Sequence, residues 1–230
     1  MKKKKINVIM SAYKSKRFIK EAVDSVLNQK GNFSLELYVG VDGCQETLDE
    51  IKGYSDKINL YYSEKNVGTY IIKNSLFKEI EDKNSIIVTF DSDDIMPVNF
   101  LGYYIEMYND GIIRLSGKNM KGDNQVGFCS PEGTIITTHE IFSKLGGYNS
   151  FRVGQDTDLI RRAKKLKIPQ KRLENAPRFI RRIHDNSLTR NPDTGFRSEY
   201  RREIVNKNND LIKEKKIVAN METVNILKIT

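Results

Sequence analysis

Apolar residues come in short blocks, and the blocks switch between two periods. "INVIMSAY", residues 6–13, is a compact β-leaning run of the kind a strand buried on both faces produces. In "SKRFIKEAVDSVLNQ", Phe18, Ile19, Ala22, Val23, Val26 and Leu27 fall at helical spacing, and Ser15 is the expected N-cap. "SLELYVGVDG" predicts a second strand that ends in a glycine turn. "TLDEIKGYS" predicts a helix, "INLYYSE" a third strand and "YIIKNSLFKEIED" a second full helix. "SIIVTF" predicts a fourth strand, which runs directly into Asp91, Asp93 and Asp94.

Strand–helix alternation with short connections predicts an α/β fold, a doubly wound, mostly parallel central sheet flanked by helices. Ligands of such sheets bind beyond the carboxyl ends of the strands. Ala12–Tyr13, Asp42 and Asp91–Asp94 stand at those ends and are expected to line one crevice. After residue 97 the pattern loosens. "NFLGYYIEMYN" and "DTDLIRRAKKLKI" predict helices, while "GIIRLSGKNM" and "GTIITTHEIFSKLGGY" mix strand and helix. "RFIRRIHDNSLTRNPDTG" is basic and turn-rich, and "RSEYRREIVNKNNDLIKEKK" predicts a C-terminal helical extension.

Composition narrows the class. The chain has 230 residues, 38% hydrophobic and 30% charged, which suits one large domain with a tail. No run approaches the roughly 18 apolar residues of a membrane span. The basic start "MKKKK" lacks the apolar stretch of a signal peptide, so a cytoplasmic location is expected. Cys44 and Cys129 are too few for a disulfide framework or a cysteine metal site. The charge is uneven. Residues 151–230 hold 20 Lys+Arg against 10 Asp+Glu, so the whole net excess of +9 lies in the last third. That surface favours phosphate-bearing partners, nucleic acid or an anionic membrane face, although lysine-rich helices also serve solubility alone.

The candidate chemistry is acidic and basic rather than nucleophilic. Asp91 and Asp93 on a tight turn can offer oxygens to one hard cation, Mn2+ or Mg2+, bridged to a substrate phosphate. Capping of backbone N–H groups would use the same residues. Asp42 either makes an Asp-Gly turn or accepts a hydrogen bond from a base or ribose. Lys73 lies on a helix after "NVGTY", where it is either a solvated helix-face lysine or an ammonium within reach of a diphosphate. Asp156 and Asp158 open an amphipathic helix, where the dipole favours carboxylates, and Asp156 is also a candidate general base. His184 lies among Arg181, Arg182 and Arg190, a setting for an anion or for a metal begun by aspartate. His139 has no such setting. The absence of GxxxxGK[ST] and GxGxxG argues against P-loop and dinucleotide-binding chemistry.

Taken in order, "INVIMSAYKSKRFIKEAVDSVLNQ", "VGVDGCQETLDEI", "KNVGTYIIKNSLF", "VTFDSDDIMP", "KLGGYNS…GQDTDLIRRAKK" and "IRRIHDNS" resemble the family 2 glycosyltransferases of GT-A fold over roughly residues 5–190. The resemblance implies a GT-A domain over 1–190, with a nucleotide-binding half at 5–97 and an acceptor half at 98–190, followed by the basic extension 191–230. It implies an inverting transfer from a nucleotide-sugar, a UDP-sugar, with Mn2+ or Mg2+. Ala12, Tyr13 and Asp42 would border the base, and Lys73 and Arg182 the diphosphate. Asp91 and Ser92 would lie toward the ribose, Asp93 and His184 at the metal, and Asp156 at the acceptor hydroxyl as base. The short chain and lysine-rich tail allow several acceptors, a surface glycan or lipid-linked glycan, a protein or DNA carrying hydroxylated bases, and contact of the basic tail at the inner face of the membrane is a further expectation. Three departures stand out: "VDGC" lacks one acidic partner, Gln155 replaces a glutamate beside Asp156, and Lys73 replaces an arginine. Losing the neighbouring charge lowers the expected pKa of Asp156, and lysine lacks arginine's bidentate fork. The alternatives are a metal-dependent nucleotidyltransferase and a non-catalytic nucleic-acid-binding module. The first lacks an early Gly-rich loop in "SAYKSKRF"; the second leaves the acidic cluster unexplained.

Overall fold

The computed structural model describes residues 3–184, 187, 189–190 and 192–230. The predicted alternation is present in order. Strand β1 (Lys4–Ala12) leads to α1 (Ile19–Leu27), β2 (Phe33–Asp42), α2 (Gln45–Ile51), β3 (Asn59–Ser63), α3 (Thr69–Lys78) and β4 (Ile86–Asp91). These strands stand side by side as β3-β2-β1-β4, all parallel. Both faces of this core are covered. Along β1, Ile6, Val8 and Met10 enter the hydrophobic cluster on one face, and Ile9 enters the other. Burial of both faces is why these strands read as unbroken apolar runs instead of alternating ones.

The looser second half completes the sheet. Helix α4 (Phe100–Glu106) precedes β5 (Ile112–Arg114), and β8 (Ile135–Thr138) runs into α5 (His139–Lys144). Strand β8 pairs antiparallel with both β4 and β5. The segment "GIIRLSGKNM" divides between two sheets. Strand β5 belongs to the large one, whereas β6 (Gly117–Lys121) forms a hairpin with β7 (Asn124–Cys129). Helix α6 (Gln155–Lys165) is followed by the two-residue strand β9 (Gln170–Lys171) beside β5 and by β10 (Phe179–Arg182) beside β6.

The C-terminal extension carries the predicted helix, α7 (Glu199–Lys213), and then returns to the sheet. Strand β11 (Leu227–Ile229) pairs antiparallel with β3 and covers that edge. Among the described residues no helix is long and apolar enough to cross a membrane.

One local expectation is corrected. Ser15 does not cap α1 with its side chain: its carbonyl accepts from the amides of Phe18 and Ile19, a turn precedes the helix, and its Oγ is buried without a described partner. The helix starts three residues later than a Ser15 cap requires, because Ser15 N donates to Thr47 Oγ1 at 3.1 Å and ties this corner to α2.

Candidate active site

Register places the polar strand ends at one level. Ala12 is opposite Val41 and Ser11 is opposite Asp91 on the neighbouring strands. With strands about 4.8 Å apart, Asp42 and Asp91 flank the end of β1 at a separation on the order of 10 Å. Ala12 is buried in the floor, and Tyr13 is 45% exposed at the rim. The hydroxyls of Ser11 and Thr69 are hydrogen-bonded, which joins the floor to the first turn of α3.

Asp42 is almost fully buried, and the loop before α3 occupies its carboxylate. Oδ1 accepts from Val67 N at 2.7 Å, and Oδ2 accepts from Gly68 N and Asn66 Nδ2, both at 2.9 Å. Burial pushes its pKa up, and these amides act in the opposite direction. The Asp-Gly turn is what allows this approach. Gly43 has φ +63°, and a Cβ there would sit 2.4 Å from Asn66 N. Arg152 closes the loop from above, donating to Asn66 Oδ1 at 2.8 Å and to Asn66 O at 2.9 Å.

Asp91, Asp93 and Asp94 each have their own partner. Lys73, 3% exposed on α3, places Nζ 2.9 Å from Asp91 Oδ1. Burial is the largest effect and works against its charge, but Asp91, with Tyr148 and Asp156, outweighs it and the ammonium's pKa is raised. Asp93 Oδ2 lies 2.8 Å from His184 Nε2, and the imidazole packs on Phe18 with ring centroids 4.7 Å apart. Asp94 is buried in the supporting turn, where Oδ1 accepts from Arg182 N at 3.0 Å. Burial, then the charges of Asp93 and Asp91, hold its pKa well above the usual carboxylate range. Arg182 ties this end together. It donates to the Asp93 carbonyl at 2.9 Å, pairs with Glu21 and lies over the Phe18 ring at 5.2 Å. Ser92 is buried within the turn. Of the "IRRIHDNS" motif, Asp185 and Asn186 lie outside the described residues.

Asp156 stands apart from this cluster, on the first turn of α6. Its Oδ1 accepts the phenolic hydroxyl of Tyr70 at 3.2 Å. Burial raises its pKa; the Thr157 amide, Tyr70 and Arg201 lower it, and Asp91 adds to the rise. Gly133 leaves room for the carboxylate, since a Cβ there would be 3.3 Å from Oδ2. Gln155 is fully buried, donating to Val153 O at 2.8 Å with its carbonyl toward Asn208 of α7. Burial, not the missing charge at position 155, therefore sets the direction of the Asp156 shift. Asp158 serves packing. It pairs with Arg162 Nε at 2.8 Å while that guanidinium also donates to the Leu145 and Gly147 carbonyls. His139 is buried and stacked on Phe77 at 4.3 Å, away from the crevice.

Among the described residues no three His, Cys, Asp or Glu side chains converge on one point. Asp93 and His184 offer an oxygen and a nitrogen side by side, and Asp91 is already neutralised by Lys73. Two protein ligands do not make a cage. They fit Mg2+ or Mn2+, which take few carboxylates and complete their shell with substrate phosphates and water.

Three residues of this site escape the sequence reading: Tyr70, Arg152 and Arg201. Tyr70 alone had a legible signal, because it lies three residues before Lys73 and thus shares its helical face.

The comparisons agree with this architecture. The profile of glycosyl transferase family 2 matches residues 7–146, and the chain belongs to that family. No curated protein sequence matches it significantly. The 1–349 fragment of TarS from S. aureus in complex with UDP has 18% identity and a TM-score of 0.62, covering 79% of this chain and 61% of that one. The same fragment in complex with UDP-GlcNAc has 17% identity and a TM-score of 0.63, with coverages of 80% and 60%. The mannosyltransferase PcManGT from Pyrobaculum calidifontis, in complex with GDP-Man and Mn2+, has 12% identity and a TM-score of 0.67, with coverages of 81% and 59%. At these identities the likeness establishes the GT-A fold, and the chain spans about three fifths of those structures.

Proposed function

We propose that this chain transfers a sugar from a nucleoside diphosphate sugar, a UDP-sugar, to an acceptor hydroxyl with inversion at the anomeric carbon. One observation carries the reading: α3 pairs its buried Lys73 with Asp91 of the acidic cluster, which also holds the Asp93–His184 pair, and through Tyr70 the same helix reaches a separate carboxylate, Asp156, whose pKa is raised. This division of labour is what glycosyl transfer needs. One end must hold diphosphate charge and the other must accept a proton.

Asp42 acts by fixing the Asn66–Gly68 loop, and Tyr13 offers its exposed ring to the base. Lys73 supplies a fixed positive charge to the leaving diphosphate, and Asp91 holds that ammonium in place. Asp93 and His184 are the residues that would hold Mg2+ or Mn2+, whose chemistry is Lewis-acid neutralisation of the diphosphate. Asp156 takes the proton from the acceptor hydroxyl as its oxygen bonds to the anomeric carbon. The bond from that carbon to the diphosphate oxygen breaks, and its electron pair leaves with the nucleoside diphosphate. A raised pKa suits this base, because proton affinity near the working pH favours transfer. Attack opposite the leaving group converts an α-linked donor into a β-glycoside.

Support for a UDP-sugar comes from the TarS complexes with UDP and UDP-GlcNAc; the PcManGT complex makes GDP-Man the second donor to try, with Mn2+. The test is a donor screen for binding and turnover with Mn2+, comparing wild type with Asp93→Ala and Asp156→Asn. If no sugar nucleotide binds or turns over, the reading fails. If Asp156→Asn retains full transfer, the base assignment fails by itself.

A further inference from the structure

Helix α7 extends the site beyond Asp156. Arg201, Val205, Asn208 and Asn209 occupy one stripe of the helix, at i, i+4, i+7 and i+8. This stripe packs along α6. Asn209 accepts from Arg161 at 2.8 Å, Asn208 faces Gln155, and a Cβ at Gly154 would meet Val205 Cγ2 at 3.8 Å. Moving one turn further toward the start of α7, the stripe passes the end of α6 and reaches Arg201. This is the end that carries Asp156, and Arg201 is among the charges that stabilise its carboxylate.

Arg201 is held rather than free to swing. Its Nε donates to Thr194 O at 2.9 Å, and its guanidinium lies 5.1 Å from the centre of the Phe196 ring. Phe196 is 69% exposed. Burial does not account for so large an aromatic surface placed beside a fixed cation. Phe196 N donates to Thr189 O, and the Thr189 hydroxyl accepts from Arg181 of β10, which ties the ring's segment to that strand.

We infer that Phe196 and Arg201 form the acceptor subsite, and that its substrate is a phosphate-bearing sugar. The ring provides a face for the C–H groups of a sugar, and Arg201 binds its phosphate beside the hydroxyl offered to Asp156. The inference rests on the reading of Asp156 as the base. A small anionic acceptor fits better than a nucleic-acid strand, which needs a row of phosphate contacts. Helix α7 does not provide such a row, because its lysines are spent locally: Lys207 pairs with Glu203 at 2.8 Å and Lys213 with Asp210 at 2.9 Å.

The sequence contains no tryptophan, so Phe196→Trp creates a single indole reporter in place of the ring. Its fluorescence would be titrated with mannose 6-phosphate, glucose 6-phosphate, methyl glucoside and a short DNA duplex, alone and combined with Arg201→Gln. The expected result is a saturable response to the sugar phosphates, weakened roughly tenfold by Arg201→Gln. No response to the sugar phosphates, an equal response to methyl glucoside, or a response to DNA alone overturns the inference. UDP and UDP-GlcNAc binding to the wild type is measured separately by calorimetry. Loss of that binding counts against the proposed transfer, while the tryptophan signal alone decides the subsite. Circular dichroism of both variants confirms that each is folded before either result is scored.

Discussion

Tyr70 and Asp156, one on α3 and one on α6, meet through a single hydrogen bond of 3.2 Å. The phenol donates and the carboxylate accepts, so the bond favours the charged form of an aspartate whose burial favours the neutral one. The helix that holds Lys73 against Asp91 therefore also tunes the candidate base.

Removing that donor has a signed consequence. In Tyr70→Phe the acid limb of kcat/KM for sugar transfer moves to higher pH, because the carboxylate loses a stabilising partner. In the wild type this limb is expected above the usual carboxylate range of about 4, because burial raises the Asp156 pKa. An acid limb that stays in place or moves downward in Tyr70→Phe would show that another group controls it.

The same shift is a statement about stability. A carboxyl whose folded pKa is raised penalises folding as pH rises from its unfolded value through its folded one. Asp156→Asn removes the ionisable group and with it that penalty. We expect the variant to unfold at higher temperature than the wild type at neutral pH, with the gap closing below the unfolded pKa of about 4. A gap that is constant across pH would refute the assignment.

Lys73 is the next test. Lys73→Met removes the buried ammonium and leaves Asp91 unpaired at the crevice, where 48% of its side chain is open to water. We expect loss of this proposed charge-assisted contact to the diphosphate to lower UDP affinity by about 10- to 100-fold. Lys73→Arg restores the charge but forces a larger group into a closed space, at a cost of about 1–3 kcal/mol in stability. Calorimetry with UDP and urea unfolding separate the two effects. Unchanged UDP affinity in Lys73→Met would remove Lys73 from the donor site.

At the other side of the cluster, His184→Ala strips one of two candidate ligands and leaves Asp93 in place. The Mn2+ concentration for half-maximal turnover should rise by about 10- to 100-fold, and chelation by EDTA should abolish the activity of both proteins. Activity indifferent to both EDTA and the substitution would mean that the pair holds no ion.

How much of this was legible in the sequence depends on what each element packs against. Strands β1, β2 and β4 are buried on both faces, so Ile6–Met10 and Ile86–Phe90 announced themselves as apolar runs. The hairpin of β6 and β7 did not, because Val126 and Phe128 are exposed and no apolar period remains. Strands β9 and β11, two and three residues long, exist through their partners on β5 and β3 and have no local signature. The acidic cluster and Asp42 were visible as residue types at strand ends. Their pairing was not: that Lys73 belongs to Asp91, His184 to Asp93 and the 66–68 loop to Asp42 depends on chain separations that spacing alone cannot order. Arg201 lies 45 residues beyond Asp156 and acts on its charge from α7, which packs on α6.

Asn74, the neighbour of Lys73 on α3, shows how that long-range packing can be measured. It is fully buried, and its amide makes three hydrogen bonds. Nδ2 donates to Tyr148 O at 2.9 Å and to Glu222 O at 3.1 Å, and Oδ1 accepts from Tyr148 N at 3.0 Å. One side chain thus joins α3 to the segment before α6 and to the returning C-terminal tail. Gly147 leaves room for it, since a Cβ there would sit 2.6 Å from Asn74 Oδ1 at a φ of +62°. Asn74→Ala leaves the Tyr148 amide and two carbonyls without their partner, which costs about 2–4 kcal/mol. The loss should appear in the urea midpoint at an unchanged m value, because the chain still folds to the same surface. Tyr148 packs against Tyr70 with ring centroids 5.0 Å apart, so the acid limb of kcat/KM should move in the same direction as in Tyr70→Phe, by less. A stability loss below about 0.5 kcal/mol would place Asn74 among ordinary surface-tolerant positions and break the proposed link between tail, α3 and base.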